Sequence, residues 1–214
     1  MENKIRIVLV DDHAVVRAGF RMLLATQDAF EVIGEASRGE QAIQQYLELQ
    51  PDIMVMDLSM PGIGGLETIR RIKHRDNAAL ILVFSVHHEQ VYVHRALAAG
   101  AKGYITKNSA PEILPEAIIA IMQGDNYVEQ GLIKTQGKSN TTDNMHAIIN
   151  GFSQREFDVF TLLAQGLSVH KIADELCLGY KTVANYATQI KKKLQVDSLI
   201  ALAQLANEWG IGQR

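Results

Sequence analysis

A chain of 214 residues with 47% hydrophobic and 21% charged residues can form one or two globular cores, and its 16 glycines and four prolines exclude a collagen-like or low-complexity polymer. A single cysteine, Cys177, excludes an intramolecular disulfide and a cysteine-based zinc site. The net charge of −3 excludes a strongly basic nucleic-acid binder taken as a whole.

The chain opens on a short apolar run, 5–10, followed at once by Asp11 and Asp12, which does not fit a signal peptide. No stretch approaches the ~20 apolar residues a membrane span needs, so no membrane association is expected and the cytoplasm is the expected compartment. Further apolar runs lie at 30–36, 53–58, 80–85 and 102–106. They are nearly continuous in Val, Ile, Leu and Met, as strands buried on both faces should be. Helical patterns fall between them, near 14–27, 39–50, 65–75, 88–99 and 110–123. Five strand–helix units in series predict a five-stranded, doubly wound parallel sheet with right-handed crossovers. Near Gly124 this pattern stops, and 134–144 is polar and rich in turn formers without an apolar stripe. The expected division is 1–125 for the α/β domain, 126–149 for a linker and 150–214 for an all-α domain.

Charge is not spread evenly. Residues 1–123 carry 12 Lys+Arg and 15 Asp+Glu, whereas 151–214 carry seven and six. A tail with net charge +1 should bind nucleic acid weakly as one copy, which favours a dimer.

The tail reads as four helices. Ser153 with Glu156 forms a capping-box pattern at the first, which ends near Gly166. Ser168 caps a short helix, Cys177-Leu178-Gly179 makes a turn, and a longer helix follows from about Tyr180 to Leu194. Asp197-Ser198 introduce a last helix ending near Trp209. A short helix, a tight turn and a longer helix form the helix-turn-helix pattern. At ~100° per residue, Val183, Tyr186, Ala187, Ile190 and Leu194 share one face of the third helix, while Lys181, Ala184, Asn185, Thr188 and Lys192 share the opposite one. The second face is small and polar, which suits either a major groove or plain solvent. Leu199, Leu202, Ala206 and Trp209 line one side of the last helix, to pack on the first tail helix or on a second copy.

In an open parallel sheet, ligands bind beyond the carboxyl ends of the strands. Asp11 and Asp12 follow the first strand, Asp57 ends the third, Ser85 ends the fourth and Lys107 follows the fifth, so all five converge on one edge. Clustered carboxylates repel one another and call for a cation. Oxygen ligands without cysteine select a hard ion such as Mg2+. A carboxylate beside it can attack phosphorus, with Lys107 holding a phosphoryl oxygen and the Ser85 hydroxyl donating to another. Singly, such aspartates are helix caps or turn formers, and Asp12 could cap the next helix. The adjacent His87-His88 is expected to be solvated, and the seven histidines show no H-E-x-x-H spacing. No G-x-x-x-x-G-K-[ST] loop is present, and Ser59 stands where an aspartate-nucleophile phosphatase needs a second Asp.

The segments Val10-Asp11-Asp12-His13, Met56-Asp57-Leu58-Ser59-Met60-Pro61-Gly62, Phe84-Ser85 and Gly103-Tyr104-Ile105-Thr106-Lys107 resemble the receiver domain of two-component response regulators. With Phe152–Glu156, Leu163–Gly166, Ile172-Ala173 and Lys181-Thr182-Val183, which look like the LuxR-type DNA-binding module, the chain resembles the NarL/FixJ type. That resemblance implies a phosphorylation-dependent transcriptional regulator, not an enzyme. Asp57 would be the phosphoacceptor for a sensor histidine kinase. Mg2+ would sit on Asp12 directly, Asp11 through water, Asp57 and the Ser59 carbonyl. Ser85 and Tyr104 match the hydroxyl and aromatic switch positions. Promoter DNA would be bound by a homodimer through Lys181, Thr182, Ala184, Asn185, Thr188, Lys191 and Lys192, with 184, 185 and 188 facing bases. Ser85 stands where threonine is commoner, basic residues usual at 184 and 188 are missing, and Gly179 replaces the usual serine cap. Two other readings remain: a phosphotransfer module whose tail binds protein, and a hydrolytic phosphatase.

Overall fold

The computed structural model describes residues 4–109, 112–133, 148–149, 151–209 and 211. The stretch 134–144, read above as the heart of a linker, lies outside the described residues. The chain divides into two compact units, Met1–Thr135 and Gln136–Arg214.

The first unit is a parallel sheet with helices on both faces. Its strands are β1 (Ile5–Val10), β2 (Phe30–Ala36), β3 (Ile53–Met56), β4 (Ile81–Ser85), β5 (Gly103–Thr106) and β6 (Tyr127–Val128), in the order β2-β1-β3-β4-β5-β6. The helices are α1 (Ala14–Ala25), α2 (Gly39–Leu49), α3 (Gly64–Arg75), α4 (Gln90–Ala98) and α5 (Ile113–Met122). Strand periodicity sorts the core. Ile7, Leu9, Ile53, Val55, Leu82, Phe84 and Ile105 join Leu24 of α1 and Leu114, Ala117, Ile118 and Ile121 of α5 in one buried cluster. The alternate residues Val8, Val10, Met54, Met56 and Val83 are also buried, on the face that takes α2 to α4. Burial on both faces is why the strands read as continuous apolar runs.

The sequence predicts five strands; the sheet has six. Tyr127 and Val128 pair in parallel with Gly103 and Tyr104, beyond residue 125 and within the stretch read as linker. A two-residue strand is too short to leave a periodic signal. Order reverses beside β1, with β2 to one side and β3 to the other, and there a doubly wound sheet opens a crevice.

The second unit holds α6 (Gln154–Ala164), α7 (Val169–Glu175), α8 (Tyr180–Leu194) and α9 (Leu199–Glu208). Its core joins Phe152, Phe157, Phe160, Ile172, Val183, Ile190 and Leu202. The expected capping box is present: Glu156 N–H donates to Ser153 Oγ at 3.2 Å, and Ser153 N–H donates to Glu156 Oε2 at 2.8 Å. Ser168 and Ser198 likewise accept from Lys171 and Ala201 N–H. Among the described residues no helix is long and apolar enough to cross a membrane.

Candidate functional site

The carboxyl ends of β1, β3, β4 and β5 bring the expected residues together. Asp57 follows β3 and is buried, and so is Asp11 after β1. Lys107, in the turn after β5, reaches both: its Nζ lies 2.5 Å from Asp11 Oδ2 and 2.9 Å from Asp57 Oδ2. Ligand atoms of Asp11, Asp12, His13 and Asp57 all lie within 4.8 Å of one another. The cap position of α1 is His13, and no side chain caps that helix, so Asp12 is not the helix cap that its position allowed. Asp12 is exposed at the rim, with His13 Nδ1 2.9 Å from its Oδ1.

Local backbone explains how Asp57 is reached. The loop after β3 runs through Gly62, with φ of 85°, into Gly64 and Gly65 at the start of α3. A Cβ on Gly65 would lie 2.2 Å from the Asp57 carbonyl oxygen, so only glycine lets α3 begin this close to the carboxylate.

Electrostatics define what the site can take. Burial disfavours the Lys107 ammonium, but hydrogen bonds and charge from Asp11 and Asp57 outweigh it and hold its pKa above the ordinary value. One ammonium does not neutralise three aspartates. Asp57 Oδ1 is buried and has no hydrogen-bond partner. A buried, unpartnered carboxylate oxygen beside two further aspartates fits a hard divalent cation with oxygen ligands. The Asp57 carboxylate can also supply an oxygen as a nucleophile.

Ser85, at the end of β4, and Tyr104, within the neighbouring β5, meet through their side chains. Both are fully buried, and the Tyr104 hydroxyl donates to the His87 carbonyl at 2.8 Å. Burial pushes the Tyr104 phenol well above its ordinary pKa, against a smaller opposing effect of its hydrogen bond with Ser85. His87 N–H reaches Ser85 Oγ at 3.4 Å. The expectation that His87 is solvated is corrected. Its ring stacks on Tyr92 at 3.8 Å between centroids, and its Nε2 lies 3.0 Å from Ser59 Oγ. Burial lowers its pKa, although Glu89 and Asp57 pull the other way. His88 is exposed, as expected.

Sequence reasoning missed three contributors. Arg17 donates to the Asp11 carbonyl at 2.5 Å and to Glu35 at 3.1 Å, fixing the end of β1. His13 joins the acidic cluster, and its place directly after the aspartate pair was a usable signal. Glu129, just after β6, accepts hydrogen bonds from the turn that bears Lys107, and nothing local in the sequence marks it.

In the second unit, α8 buries Val183, Ala187, Ile190 and Leu194 and half-buries Tyr186, as its periodicity predicts. Lys181, Thr182, Asn185, Thr188 and Lys192 are exposed, whereas Ala184 and Lys191 are half-buried. The Thr188 hydroxyl donates to the Ala184 carbonyl at 3.0 Å. Lys193 is exposed but reaches back towards α6: its Nζ lies 2.7 Å from Glu156 Oε2 and 5.5 Å from the Phe152 ring centre. In α9, Leu202 and Ala206 are buried and Trp209 approaches Phe160 at 6.4 Å, while Leu199 and Ile200 remain exposed.

Known proteins carry the same two units in the same order. Residues 7–119 match the family described as the response regulator receiver domain, and 150–206 match the bacterial regulatory proteins of the luxR family. A transcriptional activator protein, ExaE of Pseudomonas putida, is 40% identical over 213 residues, covering 96% of this chain and 97% of its own. The response regulator UvrY of Escherichia coli K12 is 33% identical over 208 residues, covering 97% and 95%. RcsB of Salmonella enterica serovar Typhimurium, solved on promoter P1flhDC with the phosphomimetic BeF3−, is 26% identical with a TM-score of 0.60, covering 94% of this chain and 98% of its own. With both matches and with relatives spanning nearly its whole length, the chain belongs to the two-component response regulators that join a receiver domain to a LuxR-type DNA-binding domain.

Proposed function

We propose that Asp57 accepts a phosphoryl group from a sensor histidine kinase, and that this modification raises the affinity of a homodimer for promoter DNA. The observation that carries this reading is Asp57 Oδ1, a buried carboxylate oxygen at the end of a central strand with no hydrogen-bond partner, next to Lys107 and two more aspartates. In the transfer, one Asp57 carboxylate oxygen forms the new O–P bond as the P–N bond to the kinase imidazole breaks, and the imidazole keeps the electron pair and takes up a proton. Lys107 Nζ, already between Asp11 and Asp57, meets the incoming phosphoryl oxygens as a point charge. Ser85 offers its hydroxyl to another. Asp12, Asp57 and the Ser59 carbonyl would hold Mg2+ directly, and Asp11 would do so through water. The ion would supply charge neutralisation for a phosphoryl group brought among carboxylates. Tyr104 and Ser85, buried side by side, form the element whose rearrangement reports phosphorylation.

In the tail, Asn185 faces bases, with Ala184 and Thr188 beside it, and Lys181, Thr182, Lys191 and Lys192 flank them towards phosphates. With the sheet reaching Val128, the receiver domain runs to about 128, the linker to about 149 and the DNA-binding domain from about 150. The compartment is the cytoplasm, where DNA and kinase are both met. Incubation with a small phosphodonor and Mg2+, followed by intact-mass measurement, tests the chemistry. The wild type should gain one phosphoryl group and Asp57→Asn none; equal gain in both would place the acceptor elsewhere.

A further inference from the structure

The turn that carries Lys107 is held from outside the phosphoryl pocket. Thr106 N–H and the Ser109 hydroxyl both donate to the same oxygen of Glu129, at 2.7 and 2.6 Å. The Thr106 and Ser109 hydroxyls lie 2.9 Å apart, and Ser109 N–H donates to the Thr106 carbonyl at 3.2 Å. On the other side, Lys107 N–H donates to the Ser85 carbonyl at 2.8 Å. Residues 106–109 are therefore pinned by β4 on one flank and by a single carboxylate on the other. Glu129 owes its place to β6: its own N–H donates to the Tyr104 carbonyl at 3.0 Å, extending the pairing of Gly103 and Tyr104 with Tyr127 and Val128.

Hydrogen bonds to an ionised carboxylate are the short, strong kind, and two on one oxygen fix the turn in one arrangement. Lys107 leaves the turn one residue after the pinned Thr106 amide, and its Nζ must meet two carboxylates at 2.5 and 2.9 Å. Misplacing a reacting or stabilising group by ~1 Å can cost on the order of 100-fold in rate. We propose that Glu129 is a positioning residue for Lys107, acting through the Thr106 amide and the Ser109 hydroxyl. This rests on the reading that Asp57 accepts the phosphoryl group.

The test measures two quantities on the full chain: the initial rate of Asp57 labelling by a small phosphodonor, and the affinity for Mg2+ alone by calorimetry. Glu129 touches none of the carboxylates expected to hold Mg2+. Glu129→Ala should therefore slow labelling about 10- to 100-fold, as a displaced Lys107 would, without weakening Mg2+ binding. Glu129→Gln keeps an amide oxygen that can still accept from the Thr106 amide, so its rate should fall between the two. Should Glu129→Ala fail to fold, as read by thermal unfolding, Glu129→Gln carries the comparison. An unchanged labelling rate overturns the proposal, and so does a loss of Mg2+ affinity matching the loss of rate, which would show a general loosening of the site. Asp57→Asn runs as a control: if it labels as well as the wild type, the phosphoacceptor reading has failed and the role of Glu129 falls with it.

Discussion

At the scale of single residues, the site depends on close approaches that admit few substitutions. Gly65 is the clearest. With Asp57 backbone 2.2 Å from where its Cβ would lie and Leu58 Cα 2.7 Å away, Gly65→Ala must push α3 off the strand end. Overpacking of this kind costs about 1–3 kcal/mol. A denaturant midpoint equal to wild type would show that the approach can relax freely. Lys107 makes an electrostatic prediction. Its folded pKa is raised above the ordinary 10.5, so its contribution to stability is complete below that value and is lost as pH rises through the folded pKa. Stability measured above pH ~10 should therefore fall more steeply in the wild type than in Lys107→Met. Equal slopes would mean that the pairing with Asp11 and Asp57 contributes nothing to folding. Asn185, exposed on α8, can pair with adenine through its amide, so Asn185→Ala should relax preference at one base by ~1–3 kcal/mol. A panel of single-base operator variants reads that directly; a uniform loss across all of them would make Asn185 a phosphate contact instead. Asp11, Asp57, Ser85 and Lys107 were legible in the sequence because each follows an apolar run, and parallel strands end on one edge. His87 and Glu129 were not, because their partners lie 28 and 23 residues away and only the fold brings them near.

At the scale of elements, local chemistry and periodicity carried most of the reading. The serine caps at 153, 168 and 198 start three of the four tail helices where the sequence places them, because each hydroxyl meets a helix-start amide. Ser153→Ala should cost about 1 kcal/mol by removing half of the capping box, read as a lower thermal midpoint of the second unit's transition. The other half of that box joins α6 to α8. Burial raises the Glu156 pKa, but Lys193 and the Ser153 backbone amide together lower it below the ordinary 4.5. A depressed folded pKa contributes stability above the ordinary value and loses it as pH falls through the folded one. The second unit should thus weaken below about pH 4.5, and Lys193→Met should flatten that decline. Lys193 belongs to a run of three lysines that reads as a single basic patch, yet its ammonium, on an exposed side chain, is engaged by Glu156. Helical phase separates the three: neighbours in sequence point about 100° apart. Strand β6 escaped notice for the opposite reason. Two residues cannot show a period, and only pairing with Gly103 and Tyr104 makes them a strand.

At the scale of the whole molecule, charge sets the demand for assembly. The tail from 151 carries seven cationic and six acidic side chains, and two of the cations, Lys193 and Arg155, are already paired with Glu156 and Asp158. Phosphate contacts supply much of the affinity for DNA, and each one adds about 0.9 to the slope of log affinity against log salt. On the proposed function a single tail should bind weakly, whereas two tails would double the contacts and read half-sites about one helical turn apart. Leu199 and Ile200, exposed on α9, are apolar surface that one copy leaves in water. Phosphorylation can shift this balance only if it favours the dimer or the DNA-competent state over the alternative. The decisive measurement is mass in solution together with operator affinity, on the full chain, with and without phosphorylation of Asp57. The proposed switch requires that phosphorylated protein double in mass, bind the operator more tightly and show a steeper salt dependence, and that Asp57→Asn do none of these. Phosphorylated protein that stays monomeric and binds DNA no more tightly than before would contradict it.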